Sequence, residues 1–525
     1  MPYENAVLGY LPGTPAAIAD VVERIHAQGR EILRFAQDDR REQDDRHEQD
    51  DRREAFSAEG PYALAIVQLN HNGQQSTSDH NQRELWAPSA VPNVGSREVP
   101  KAMELADIQA VIEGFALVAR HAVEGKADGV ELQTADSSLL RQFLSLLTNQ
   151  RTDQYGGVLE NRLRFVQETI EAVDVILGSD NILGVRLCAD ELAPWAGLTP
   201  EQSIEIARVL GATGRVDYLT ITMGSIFSTH MFPFHASMHT PPGYAAHLAA
   251  AIKAAVTIPV FAAGRIMNVA QAERLLAEEQ ADGVEMIRAL IADPYLPLGA
   301  IMNVDKIVGQ RLADKSAVGG EGIDTRSAGS AEAPTVLPEE FVHEHNWAPT
   351  QEGRASEVRP CISCNQGCQV RNVMNVQLSC NVNPDIVGAR LIAPQGNAPF
   401  FASKTPTLHI IGGGPAGMEA ARTAALRGRH VVLYERENQL GGAVALAAKG
   451  PGRSELALIT DYLQAQLEKL GVEVHLGVEV AASVLLEQHP EAVLIATGAR
   501  TGTGLLPIPG RDLPHVTDIR CILRG

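Results

Sequence analysis

The chain has 525 residues, 45% of them hydrophobic, enough material for two or more domains with their own cores. Its 64 acidic residues outnumber 44 basic ones for a formal charge of −20, which argues against nucleic acid or an anionic membrane surface as partner. No run of eighteen or more apolar residues occurs and Met1-Pro-Tyr-Glu-Asn5 lacks the basic and apolar stretches of a secretory signal, so a cytoplasmic protein with reduced cysteines and no membrane partner is expected.

The first predicted element is a helix over 14–29, with Thr14 as cap, Pro15 in the first turn and Gly29 at the end. A polar insertion over 30–60 follows, in which Gln37-Asp-Asp-Arg40 recurs every six residues as Gln43-Asp-Asp-Arg46 and Gln49-Asp-Asp-Arg52. It offers almost nothing to bury and reads as a solvated insertion, or else as a charged interaction tail. Apolar runs of strand length then fall at 63–69, 128–133, 182–188, 216–221, 258–262 and 282–287. Helical patterns separate them at about 103–124, 159–177, 200–211, 243–255 and 268–279. Strict alternation of apolar strands with helices predicts a parallel sheet, either doubly wound or part of a (β/α)₈ barrel. Polar residues gather where the strands end: Gln68 with His71, Glu131 with Gln133, Arg186, Gly264-Arg265 and Arg288. Barrel enzymes build their sites from those ends, and two late arginines suit a phosphate.

Residues 303–356 lose periodicity and read as a flexible insertion or linker. Cys361-Ile-Ser-Cys364-Asn-Gln-Gly-Cys368 comes next, with Cys380 closing the set. A disulfide framework fits poorly with a large chain lacking a secretory signal. Zinc sites usually group their ligands as two close pairs. Three close cysteines plus a distant fourth suit an iron–sulfur cluster best, with zinc or unligated thiols as alternatives. Downstream, Gly412-x-Gly414-x-x-Gly417 lies between a predicted strand (408–411) and a helix, and a second strand (430–434) leads to Glu435. Glycines there let backbone approach a pyrophosphate at a helix N-terminus, and Glu435 can take ribose hydroxyls. Leu440-Gly-Gly442 and Ala496-Thr497-Gly498 add two further matches, which point to FAD rather than NAD alone.

Taken together, these motifs resemble the Old Yellow Enzyme family. Gln68-Leu-Asn-His71-Asn-Gly73 and the long stretch from Gln142 through Asn149, Arg151, Asp153, Gly156, Gly157 and Glu160 to Asn161-Arg162 are similar to its barrel signatures. The cysteine spacing after Arg359-Pro360 narrows the resemblance to the multidomain branch of 2,4-dienoyl-CoA reductases, enoate reductases and trimethylamine dehydrogenase. The resemblance implies an α/β chain: an FMN-binding barrel domain over 1–302, an iron–sulfur segment over 357–393 and a Rossmann-like FAD/NAD(P)-binding domain over 405–525. It implies that Gln68 and Arg186 meet the FMN ring, and that Gly264, Arg265 and Arg288 hold the FMN phosphate. It further implies that Gly412, Gly414, Gly417, Glu435, Gly442, Thr497 and Gly498 hold FAD, and that Cys361, Cys364, Cys368 and Cys380 hold a [4Fe–4S] cluster. The activity it implies is reduction by NAD(P)H of an activated C=C bond in an enone or an unsaturated thioester.

Departures from the family pattern are specific. Only six of the eight barrel strands are recognisable, so an incomplete barrel with open edges is expected, and the FAD module stops at Gly525, so the chain reads as truncated at both ends. Thr134-Ala-Asp136-Ser137-Ser138 stands where the family often has Gly-Ala-His-Gly-Tyr, which removes a protonating Tyr. Asp136, Ser138, His230 and His235, with His239 beside them, are then the candidate proton donors. Gln74 occupies a position where the family usually has Arg. The rival readings are a catalytically silent fragment and an electron-transfer subunit that needs a partner.

Overall fold

The computed structural model describes residues 13–26, 63–76, 78, 83–228, 236–294, 296–297, 358–370, 378–387, 407–487, 490–499, 509–510 and 513–524. The polar insertion over 30–60 and the linker over 303–356 lie outside the described residues, as do His230 and His235. Two compact units divide the chain: Met1–Ala236, Thr240–Met286 and Leu296–Asn346 form the first, and Ser237–His239, Ile287–Tyr295 and Trp347–Gly525 the second.

The first unit is built on strands β1 (Ile66–Leu69), β4 (Gly129–Thr134), β5 (Ile182–Cys188), β6 (Tyr218–Thr222), β7 (Val260–Ala263) and β8 (Gly283–Glu285). A small ribbon, β2 (Trp86–Ala87) with β3 (Lys101–Ala102), stands apart from them. The six strands form one sheet in the order β1-β4-β5-β6-β7-β8, every pair parallel. That is the order of successive right-handed crossovers, and it is the incomplete barrel the sequence predicts. Among the described residues β1 and β8 are its edges.

Every residue of β4 is buried, as a parallel strand covered on both faces requires. Helices Leu105–Glu124, Leu159–Leu177, Pro200–Ala212, Ala246–Lys253 and Val269–Ala277 connect the strands. Their starts follow from local chemistry. Glu104 and Asp107 form a reciprocal capping box, Thr199 caps with Pro200 behind it, and Asn268 Oδ1 accepts from Gln271 N at 2.8 Å. Strand spacing is enforced by aromatic rings lying on neighbouring glycines. A Cβ on Gly184 would sit 2.1 Å from Cζ of Tyr218, whose ring packs edge-on against Phe261 at 5.3 Å.

The second unit holds β9 (Thr407–Ile411), β10 (His430–Glu435), β11 (Glu473–Leu476) and β12 (Ala492–Ile495) in the parallel order β11-β10-β9-β12. This is the 3-2-1-4 order of a dinucleotide-binding sheet. Helices Pro415–Leu426 and Ala457–Lys469 supply a core in which Ile410, Met418, Ala421, Leu433, Leu463 and Leu467 are buried. No helix among the described residues is long and apolar enough to cross a membrane.

The deepest charge in the first unit is Arg141, wholly buried with Glu191. Arg141 Nη1 donates to Glu191 Oε1, while Ser145 Oγ and Leu198 N (2.8 Å) donate to Glu191 Oε2. Glu191→Ala leaves that cation uncompensated and is expected to lower stability by about 3–5 kcal/mol. The double variant Arg141→Met/Glu191→Leu removes both charges and should lose less. Urea midpoints of the full chain at fixed pH measure both, and a Glu191→Ala midpoint equal to wild type would contradict the assignment.

Candidate functional site

The inner face of the six-stranded sheet carries a polar layer at the level where the strands end. Gln68 on β1 stands opposite Glu131 on β4, and Arg186 on β5 opposite Thr220 on β6. Gln68 Nε2 donates to Glu131 Oε1 at 2.7 Å, and Arg186 Nε donates to the same oxygen at 3.1 Å. Thr220 Oγ1 donates to Glu131 Oε2 at 2.7 Å. Arg186 Nη2 reaches Glu285 Oε1 on β8 at 2.5 Å. Burial by itself would pull the Arg186 pKa down; the carboxylates of Glu285, Glu131 and Asp136 outweigh it and hold the guanidinium firmly charged. Burial, reinforced by Glu131, raises the Tyr218 hydroxyl and keeps it neutral. The sequence pattern brings Gln68 and Arg186 together here. Glu285 is a partner that periodicity concealed, because a Glu near a strand end reads as solvated charge.

Loops after β1 and β4 meet beside this layer. His71 Nδ1 accepts from Gly73 N at 3.0 Å, and burial lowers its pKa to about 4. His71 is therefore neutral, with its proton on Nε2. Gln142 braces the same loop, donating from Nε2 to Asn72 O and Ser137 O (2.9 Å each) and accepting from Gln74 N at 3.1 Å. The Gln74 side chain is fully buried, and neither its Nε2 nor its Oε1 has a hydrogen-bond partner. Buried amides without a partner are uncommon in folded proteins.

Asp136 has a left-handed backbone (φ 47°) and takes a weak bond from Gln133 Nε2 at 3.4 Å. Its carboxyl is pushed up to about 6 by burial, with Glu285 adding to the rise and Arg186 and Arg141 opposing it. Ser138 is engaged otherwise: it caps helix Leu139–Leu144, its Oγ accepting from Arg141 N at 3.1 Å, and it has no exposed surface. His239 is exposed and belongs to the second unit.

Gly264 (φ 136°) and Arg265 (φ 55°) follow β7 with two successive left-handed residues, which turn consecutive N–H groups toward one side. Arg265 is 5% exposed, and its carbonyl accepts from Gln271 Nε2 at 3.2 Å. Arg288 follows β8 in helix Ile287–Ala292, which counts with the second unit; there its Nη1 donates to Asn365 Oδ1 at 2.6 Å.

In the second unit the glycine stretches converge at the ends of β9 and β12. Gly412 N donates to Tyr434 O (2.8 Å), Gly441 N to Gly413 O (2.8 Å) and Ala496 N to Ile411 O (2.8 Å). A Cβ on Gly417 would lie 2.0 Å from Gly412 O, so no larger residue lets helix Pro415–Leu426 come this close. Gly414 caps that helix, and Gly442 (φ 52°) packs on the Gly414 backbone. Thr497 and Gly498 (φ 70°) follow β12 on the same rim. Glu435 is 7% exposed, and its Oε2 accepts from Gly413 N at 2.6 Å. Its Oε1 accepts from Glu437 N at 2.9 Å, so the two oxygens order the glycine loop and the turn after the strand. A helix N-terminus flanked by close-packed backbone is a ready anion site.

Cys361, Cys364 and Cys380 pack against the core of the second unit, and Cys368 sits on a short π-helix, Gln366–Val370. A Cβ on Gly367 would meet Ser379 O at 2.5 Å, so the glycine brings the two cysteine segments together. Ser363 (φ 48°) and Asn365 (φ 57°) turn left-handed on either side of Cys364. Burial pushes the Cys361 thiol up to about 11, with Arg288 opposing the shift and the neighbouring Cys380 and Cys368 adding to it. Burial raises Cys368 as well. Among the described residues no group of three or more His, Cys, Asp or Glu side chains is closed tightly enough to hold a metal ion. The donor set is all sulfur, which suits zinc or an iron–sulfur cluster rather than a hard cation.

The NADH:flavin oxidoreductase / NADH oxidase family matches residues 54–305, and an NAD(P)-binding Rossmann-like domain matches 410–458. The chain is 33% identical over 450 residues to an N,N-dimethylglycine/sarcosine dehydrogenase of Chromohalobacter salexigens, covering 85% of this chain and 57% of that protein. It is 33% identical over 443 residues to an NADH oxidase of Thermoanaerobacter brockii, covering 84% and 59%. The solved 2-naphthoyl-CoA reductase superposes with a TM-score of 0.71 at 29% identity, covering 88% of this chain and 63% of that one. The chain therefore spans a little over half the length of the curated relatives named here. With the incomplete parallel barrel, the strand-end residues and the glycine-rich sheet in view, the chain belongs to the NADH:flavin oxidoreductase / NADH oxidase family, in its multidomain, Old Yellow Enzyme-like branch.

Proposed function

We propose that the chain is an NAD(P)H-dependent flavin oxidoreductase that reduces activated C=C bonds in enones or unsaturated thioesters. The observation that carries this reading is the layer in which exposed Gln68 and buried Arg186 share buried Glu131 at the strand ends of a barrel matching a flavin oxidoreductase family. A fixed cation and a side-chain amide on one sheet face suit a planar heterocycle with an electron-rich edge. FMN and NAD(P)H accord with the family matches. FAD on the Gly412, Gly414, Gly417, Glu435, Gly442, Thr497 and Gly498 rim, and a [4Fe–4S] cluster on Cys361, Cys364, Cys368 and Cys380, complete the proposal. So does the division into a barrel domain (1–302), an iron–sulfur segment (357–393) and a dinucleotide domain (405–525). When bound, these groups supply hydride and single-electron transfer.

The protein's own residues would then divide the work. Gln68 and Arg186 orient the FMN ring, while Gly264 and Arg265 hold its phosphate. Neutral His71 offers Nε2–H to an electron-rich oxygen. Asp136, whose acid form persists to about pH 6, donates the proton that accompanies hydride addition to the alkene. Ser138 Oγ accepts from Arg141 N as a helix cap and keeps its own O–H, so it stands beside Asp136 as a second candidate donor. A second reading, oxidation of an N-methylated amine, is favoured by the similarity to a dimethylglycine/sarcosine dehydrogenase.

Three outcomes test the proposal. Protein loaded with iron, sulfide and both flavins should oxidise NAD(P)H in the presence of an enone or enoyl thioester; no turnover across a panel of both, with turnover on N-methyl amines, moves the assignment to the second reading. Cys364→Ser should lose most of the bound iron and acid-labile sulfide while keeping the wild-type circular dichroism, and unchanged iron would exclude the cluster. Asp136 contributes stability fully below its unfolded pKa of 3.8 and loses that contribution as pH rises through about 6. Asp136→Asn should therefore change the pH 4 to pH 7 stability difference by up to about 3 kcal/mol relative to wild type. Parallel urea titration curves would show that Asp136 is not held in its acid form.

A further inference from the structure

Arg186 faces two carboxylates, not one. Glu131 approaches Nε at 3.1 Å from the neighbouring strand β4. Glu285 approaches Nη2 at 2.5 Å from β8, with β6 and β7 lying between the two strands. The Arg186 side chain therefore reaches across the sheet face to an edge strand. Glu131 is also held by Gln68 and Thr220, so it is a fixed part of the layer. Glu285 has no such bracing among the bonds of this layer, and its side chain is 22% exposed against 10% for Arg186. One guanidinium between two carboxylates leaves the layer one negative charge in excess. The cation's attraction for a further electron-rich group is correspondingly reduced.

We infer that Glu285 is a positioning residue that tunes the bound flavin: by compensating Arg186 it disfavours the electron-rich, reduced ring and makes the flavin a stronger reductant. The inference rests on the reading that FMN lies on this face of the sheet. Charge beside the N1/O2 edge of a flavin is one of the few means a protein has to set its potential, because reduction adds electron density there. A carboxylate that takes up half of the opposing cation acts against that density without touching the hydride-bearing part of the ring.

The test is an anaerobic, dye-coupled redox titration of FMN bound to the full chain. Glu285→Gln keeps the shape and removes the charge. It should bind reduced FMN about tenfold more tightly relative to oxidised FMN, an upward shift of about 30 mV for a two-electron couple. Glu285→Asp keeps the charge and should stay near wild type. Thermal unfolding establishes that each variant is folded, and Glu285→Ser is the second neutral variant if the Gln protein is not. Equal potentials in wild type and both neutral variants overturn the inference and leave the flavin reading intact. A wild-type chain that binds no FMN at all overturns both.

Discussion

A parallel sheet covered on both faces gives a charged side chain nowhere to go. Little water reaches a charge held among the strands, so such a charge must be matched by groups on neighbouring strands or it will not stay ionised. Arg186 is held in this way. It is 8% exposed, yet Glu131 and Glu285 keep it charged against the effect of burial. The layer so formed links β1, β4, β5, β6 and β8 through side chains, in addition to the backbone ladder. Strand register is thereby tied to the chemistry of the site: a slip of one residue on β5 would turn Arg186 to the other face of the sheet.

The same principle governs the loops around the layer. Arg141 and Glu191 are matched beneath the loop after β5, with Ser145 and the Leu198 amide completing the carboxylate's partners. His71 meets the constraint by staying neutral and Asp136 by holding its proton up to about pH 6. These are two answers to one desolvation cost: a base gives up its proton, and an acid holds on to it. The outcome is one neutral donor and one weak acid near the strand ends, the kinds of group that proton delivery to carbon requires.

In the second unit the constraint is steric rather than electrostatic. Gly417 approaches Gly412 O more closely than a side chain would permit, and Gly442, at a left-handed φ of 52°, packs tightly on Gly414. The freed space lies at a helix N-terminus whose amides face outward. Glu435 accepts from Gly413 N on one oxygen and from Glu437 N on the other, so the carboxylate that faces a ribose in the sequence pattern is also a structural element of the loop. Gly367 plays the corresponding role where Cys368 meets the Cys380 segment.

Much of this was legible in the sequence by itself. Alternating apolar strands and capped helices determined a parallel α/β sheet, because periodicity is a local property, and left the doubly wound and barrel orders open; the sheet in chain order accords with what the family resemblance implied. Strand limits shifted by a residue or more where the next element competes: β8 ends at Glu285 because helix Ile287–Ala292 begins two residues later. Tertiary structure alone decided the partners. Ser138 caps a helix, Arg288 donates to Asn365, and Glu285 joined Arg186 across two intervening strands. Pairings of that kind depend on which side chains share a buried volume, and a linear pattern carries no record of it.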